Sequence, residues 1–250
     1  MSDFLLINQL LDNKLPKSNN IDCADFITAN QNINAYKRED NIYSSLVNGG
    51  MPEFLRFFKP IEIKKDNTTF VYFVSSDYLA IGNNDLYMRI PMLPKTAQKI
   101  CDEFDCSLPT PKMVKQIWEQ SVNKLMPTSM PSYDMASTQK YKDHSKTIDQ
   151  QLKNLDKFEL TSGHKKDIVL TNQLRNPNNR IAIYGWFYPN GQFIQGLNAT
   201  SHDVNYVDYS HGVRLVSNTC YLNGEEVRLQ DIFKDPGNLI NDGILNFLSY

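Results

Sequence analysis

Two short stretches gather side chains able to do chemistry: Gly163-His164-Lys165-Lys166-Asp167, and the run from Ser201 to Gly212, SHDVNYVDYSHG. Together they hold three of the four histidines. A histidine beside two lysines gives up its proton readily, because neighbouring positive charge disfavours the imidazolium; Asp167 opposes that effect. The neutral ring so produced is a base or a metal ligand. In the second run Asp208 precedes His211 at a spacing that lets a carboxylate orient an imidazole. Gly212 lets backbone approach a ligand closely. Strand alternation puts Arg214 on the same side as Gly212, where it suits a carboxylate or other anion.

Three chemistries compete for these residues. In one, His164, His202 and His211, or two of them with Asp208, bind zinc as an open three-ligand site that activates water, although the HExxH spacing is missing. In another, Cys106 or Ser210 is a nucleophile, His211 its base and Asp208 the orienter. Cys106 stands just ahead of an expected helix start, where a thiol's pKa tends to fall. In the third, the histidines act as acid and base on a bound substrate whose negative groups are held by Lys165, Lys166 and Arg214. The bland alternatives are a solvated charge run entering a strand and a buried, reduced thiol. Tyr184, Trp186 and Tyr188 share one face of an expected strand over 181–188, with Tyr206 and Tyr209 in the following loop. That face suits stacking on a sugar ring or peptide, and it suits a core equally well.

The elements that must position these groups follow from periodicity. Helical spacing covers residues 3–12, 22–30 and 36–47, the last stopping at Gly49-Gly50. From Pro60 the period falls to two, through Ile61 and Ile63, Phe70 to Val74, Tyr78 to Ile81 and Leu86 to Ile90, which reads as an antiparallel meander. Helical spacing returns at 94–104. It returns again after Thr110, a good N-cap followed by Pro111, up to about Val122. Met126 to Tyr133 is a loop, and Ser137 caps a surface helix through Tyr141, Ile148, Leu152 and Leu155. Strands then run over 168–171, 181–188, 192–197, 213–222 and 226–229, the last pair joined by Asn223-Gly224. Short helices broken at Pro236-Gly237 and Gly243 close the chain. The sum is an α+β fold, an antiparallel sheet core with helices packed on one side. Residues 1–50 form a helical N-terminal arm, and 51–250 a single domain carrying the site.

Composition narrows the partners. The chain has 250 residues, 41% hydrophobic and 22% charged, which is ordinary for a soluble globular protein. A net charge of -2 provides no field that would draw it to nucleic acid or anionic lipid. No apolar run approaches the ~20 residues of a membrane span. The four cysteines have neither CxxC pairing nor the density of a disulfide scaffold. The N-terminus reads as an amphipathic helix rather than a signal peptide, which fits cytoplasmic residence or export with a leader absent from this chain.

The segments GHKKDIVLTN at 163–172, IAIYGW at 181–186 and DYSHGVRLVS at 208–217 resemble the signature stretches of a family of uncharacterised bacterial proteins. DYLAIG at 77–82, RIPMLPKTAQKI at 89–100 and LPTPKMV at 108–114 are similar to further parts of the same pattern. The resemblance spans roughly residues 50–235 and implies where a site lies, with no reaction attached. Ser210-His211-Gly212 followed by Val213 and Arg214 also resembles, loosely, the L,D-transpeptidase segment SHGC before an Arg; here Val213 stands in place of the cysteine.

The resulting expectation is a hydrolase or lytic enzyme acting on a cell-wall or peptide substrate, with His164, His202, Asp208 and His211 at its centre. Lys165, Lys166 and Arg214 would orient substrate carboxylates, and Trp186 or Tyr206 would line the cleft. The alternative is a non-catalytic glycan- or peptide-binding module.

Overall fold

The computed structural model of the chain describes residues 14–174, 179–235 and 238–250. The helix expected over 3–12 and the Pro236-Gly237 break lie outside the described residues. The fold is α+β. Its helices are α1 Cys23–Asn30, α2 Ala35–Val47, α3 Pro94–Glu103, α4 Pro111–Gln120, α5 Thr138–Leu152 and α6 Leu229–Phe233. Strands β1 Lys59–Lys65, β2 Thr68–Val74, β3 Ala80–Gly82, β4 Tyr87–Arg89, β5 Cys106–Ser107, β6 Asn123–Lys124 and β7 Thr161–Ser162 precede the site region. Within and after it come β8 Lys166–Ile168, β9 Ile183–Phe187, β10 Phe193–Asn198, β11 His211–Gly212, β12 Val216–Ser217, β13 Thr219–Leu222 and β14 Glu225–Arg228.

Side-chain caps set several helix starts. Asp22, Asn34, Thr110 and Ser137 each accept a backbone N–H of the first turn, which satisfies a donor that the helix itself leaves open. Ile42 and Leu46 of α2 are fully buried in the same apolar core as the main sheet. The helix α5 is not simply a surface element: Tyr141, His144, Ser145 and Ile148 are all buried.

The main sheet runs β14-β13-β2-β12-β5, with β1 also paired to β2. Phe70, Tyr72, Phe73 and Val74 of β2 are all buried, so this strand needs neighbours and cover on every side. That requirement breaks the expected meander. The strands β3 and β4 leave to form their own hairpin, and β12 and β13, from the far end of the chain, pair with β2. The turn at Asn223 and Gly224 has φ +52° and +89°, the pair of left-handed residues that a tight two-residue hairpin requires.

The second sheet runs β10-β9-β8-β11, and β8 with β11 is a parallel pair, with His211 opposite Lys166 and Gly212 opposite Asp167. The single long strand expected over 213–222 is instead two short ones, β12 and β13, which share β2 as a neighbour and pair on their other sides with β5 and β14. On β9 the alternation is also broken. Gly185 and Trp186 have φ +104° and +61°, which inverts the parity of the strand. Trp186 consequently joins Ile183 in the main core, while Phe187 joins Ala182 and packs against Tyr184. The aromatic face expected from strict alternation does not form.

The tail after α6 makes no further helix among the described residues. Asn238 and Asn241 bond nearby backbone groups, a local alternative to the helical ladder, and Leu239, Ile240 and Leu245 are buried without one. The Tyr250 hydroxyl donates to the Val169 carbonyl and accepts from the Ala182 N–H, tying the chain end to the second sheet.

Candidate functional site

The parallel β8–β11 pair brings Lys166 beside His211 across the register. The preceding segment, residues 199–208, is pinned by a bridge between Arg180 and Asp203 and by the Val204 N–H donating to the Asn179 carbonyl at 3.1 Å. It delivers Asp208 to the same place. Asp208 Oδ1 accepts from the Ser210 backbone N–H at 2.7 Å and the Ser210 hydroxyl at 2.5 Å, while Oδ2 accepts from the Tyr206 hydroxyl at 2.8 Å. His211 Nε2 lies 3.9 Å from Oδ2, within ion-pair range but beyond a hydrogen bond. Among the described residues neither ring nitrogen of this buried imidazole has a hydrogen-bond partner.

Burial lowers the His211 pKa to about 4 against the pull of Asp208, with Lys166 and His202 adding to the lowering. The ring is therefore neutral at ordinary pH. Burial alone would raise the Asp208 pKa, but His211, the two Ser210 donors and Lys166 hold it below the usual carboxylate range. Above this pair lie half-buried groups. The His202 ring stacks on Tyr206 at 4.5 Å, Tyr206 meets His211 edge-on at 5.7 Å, and the Lys166 ammonium sits 4.9 Å from the Trp186 ring centre. His202, Tyr206, Asp208, His211, Lys166 and Trp186 thus form one cluster.

His164 does not join it. Its Nε2 donates to Asp77 Oδ1 at 3.0 Å, and among the described residues no hydrogen bond, ion pair or ring contact joins it to His202, Asp208 or His211. Asp77 also takes Nε and Nη2 of Arg89 at 2.9 and 2.6 Å, and Arg89 Nη1 continues to Asp149 at 2.7 Å. Asp149 reaches a surface hollow shared with Tyr87, Lys157 and Phe158. Burial penalises the Asp77 carboxylate, but Arg89 and His164 hold its pKa far below the usual range. Burial in turn lowers His164 to about 4 against the pull of Asp77.

Lys165 and Arg214 point inward too, which corrects their expected place on substrate. The Lys165 ammonium donates to the Tyr209 carbonyl at 2.5 Å, and burial lowers its pKa to about 7. Arg214 gives Nη1 and Nη2 to the carbonyls of Ser75 and Thr161, each at 2.7 Å, and lies over the Tyr78 ring. Tyr78 donates to Asp167 Oδ2 at 2.7 Å, and burial raises the Asp167 pKa to about 7 despite Arg214 and that bond. A Cβ on Gly212 would meet Tyr78 Cδ1 at 2.6 Å, so the close approach that Gly212 permits is to a side chain of this chain.

The covalent and metal readings fare differently from the acid–base one. Cys106 begins a strand, is buried, and has its thiol pKa pushed far up by burial, the reverse of an activated thiol. The Ser210 hydroxyl is spent on Asp208 rather than aimed at the imidazole. Among the described residues no group of three or more His, Cys, Asp or Glu side chains is placed to hold a metal ion, so the expected zinc ligands do not converge.

Asp77, Tyr78 and Arg89 lie in the segments DYLAIG and RIPMLPKTAQKI but were not among the expected site residues. Their signal was the interruption of apolar strands by charge: Asp77 follows the buried run Phe70 to Val74, and Arg89 ends β4. No helix among the described residues is long and apolar enough to cross a membrane. No family model, no curated protein and no solved structure matches this chain.

Proposed function

We propose that this protein is a hydrolase or related lytic enzyme acting on a cell-wall or peptide substrate, with His211 as its base. The observation that carries the reading is a neutral imidazole with both nitrogens free, set beside an ionised Asp208 and under half-exposed His202 and Tyr206. Such a ring takes a proton from an attacking water, and the carboxylate stabilises the imidazolium that results. His211 then returns that proton to the leaving group as the scissile bond breaks. Lys166 and His202 are the cluster's groups for holding substrate polar atoms, with Lys166 offering charge to a carboxylate. The substrate class rests on the likeness of Ser210-His211-Gly212 and Arg214 to the L,D-transpeptidase segment. Water takes the part that a cysteine plays there. The segments GHKKDIVLTN, IAIYGW and DYSHGVRLVS support reading the chain as a member of the family of uncharacterised bacterial proteins that they resemble.

A non-catalytic glycan- or peptide-binding module is the second reading. The stacked His202 and Tyr206 rings, and the burial of His211 beneath them, favour it. Soluble peptidoglycan fragments separate the two. If the protein is an enzyme, His211→Ala retains fragment binding and loses bond cleavage; wild-type protein that binds and never cleaves sinks the enzymatic reading.

A further inference from the structure

We propose that the Tyr206 side chain is a latch over His211, closed by its hydroxyl on Asp208 and opened when a hydroxyl- or amide-bearing ligand replaces that hydroxyl. The inference rests on His211 being the group that meets substrate. His211 is 1% exposed, so a substrate cannot reach it in this arrangement. Tyr206 is the half-exposed neighbour that lies edge-on to the imidazole at 5.7 Å, and its outer contact is the stacked His202 ring.

What holds Tyr206 in place is small and local. Among the described residues its side chain makes one hydrogen bond, to Asp208 Oδ2 at 2.8 Å. The backbone on either side is anchored separately, by the buried side chains of Val204 and Val207. Opening therefore asks for rotation of one side chain, a fast and inexpensive motion, and not for displacement of the whole segment. Asp208 would stay in place meanwhile, because Ser210 grips its other oxygen with both the backbone N–H and the hydroxyl. The freed Oδ2 is an acceptor 3.9 Å from His211 Nε2, and a buried carboxylate oxygen needs a donor. A sugar hydroxyl, a peptide N–H or a water fills that place, and brings the ligand's polar atom next to the free imidazole nitrogens.

Histidine labelling with diethyl pyrocarbonate at neutral pH, read peptide by peptide by mass spectrometry, tests the latch. In the wild-type protein His202 labels fast and His211 slowly. Tyr206→Phe removes the hydroxyl and keeps the ring; it speeds labelling of His211 by about tenfold, the factor expected for losing one hydrogen bond to a charged acceptor. Tyr206→Ala speeds it further, while His144 and His164 stay protected. If Tyr206→Ala also exposes those two by loosening the fold, Tyr206→Phe alone decides. The proposal is overturned if wild-type His211 labels as fast as His202, or if Tyr206→Phe leaves its rate unchanged. Labelling needs no turnover, so an inactive protein with a working latch would be recognised as such.

Discussion

His164 Nε2 lies 3.0 Å from Asp77 Oδ1, a contact that joins positions 87 residues apart and seals both groups away from solvent. Arg89 completes the arrangement with two bonds to the other oxygen of Asp77. This polar knot is separate from the His211 cluster. It ties β4, α5 and the start of the site region together in a region where isolated charge would be costly.

Asp77→Asn should therefore cost about 3–5 kcal/mol, because it leaves the buried Arg89 guanidinium without its main counter-charge. Asp149→Asn, at the partly exposed end of the same chain of contacts, should cost far less. Urea unfolding of the two variants checks this, and equal losses would mean that Arg89 does not depend on Asp77.

If His211 is the base, turnover should rise as pH climbs through about 4 and then level off, since only the neutral ring accepts a proton. Asp208→Asn removes the charge that steadies the imidazolium. The rising limb should move to lower pH while the plateau falls by about 10²-fold or more. A pH–rate profile of both proteins measures the shift. A wild-type limb near the ordinary histidine value would assign the proton transfer to another group.

Stability should respond to pH through Lys165 and Asp167 with opposite signs. Lys165 has a folded pKa of about 7 against 10.5 for the free side chain, so between those values the unfolded chain binds more protons and stability rises with pH. Lys165→Met should abolish that rise. Asp167 has a folded pKa of about 7 against 3.8, so across that window the native state keeps a proton that the unfolded chain has lost, and stability falls as pH increases. Asp167→Asn should remove the fall. Unfolding free energies across the pH range test both, and parallel curves for wild type and variant would refute the assignment.

Gly212→Ala should destabilise by about 1–3 kcal/mol, the usual cost of forcing a methyl group into filled space. The new Cβ would stand 2.6 Å from Tyr78 Cδ1 and 2.9 Å from Lys165 Cβ. Thermal unfolding reads the loss, and a shift in Tyr78 ring resonances reports the displaced contact with Asp167. An unchanged midpoint would show that the ring steps aside freely.

Much of the local structure was legible in the residues. Thr110 and Ser137 announced helix starts because a cap is a contact made within three residues, and Asn223-Gly224 announced its hairpin because both residues accept positive φ. The grouping of His202, Tyr206 and Asp208 was accessible for the same reason, all three lying within seven positions of one another. The grouping of Lys166 with His211 was not, since it depends on a parallel pairing between distant segments. Nor was the inversion at Gly185 and Trp186, where two left-handed residues overrule the alternation on which the aromatic face was read.

Taken by itself, the order of residues determined the α+β class, the places of most helices, and the two stretches in which reactive side chains are concentrated, because capping, turn chemistry and periodicity act over a few residues. Only the tertiary structure decided which of those side chains face one another. Long-range packing buried His164 against Asp77 and Arg214 against backbone carbonyls, and left Lys166, His202 and Tyr206 near solvent over His211. The physical reason is that a charged group settles wherever the folded chain supplies its counter-charge and hydrogen-bond partners, and those partners come from segments far away along the chain.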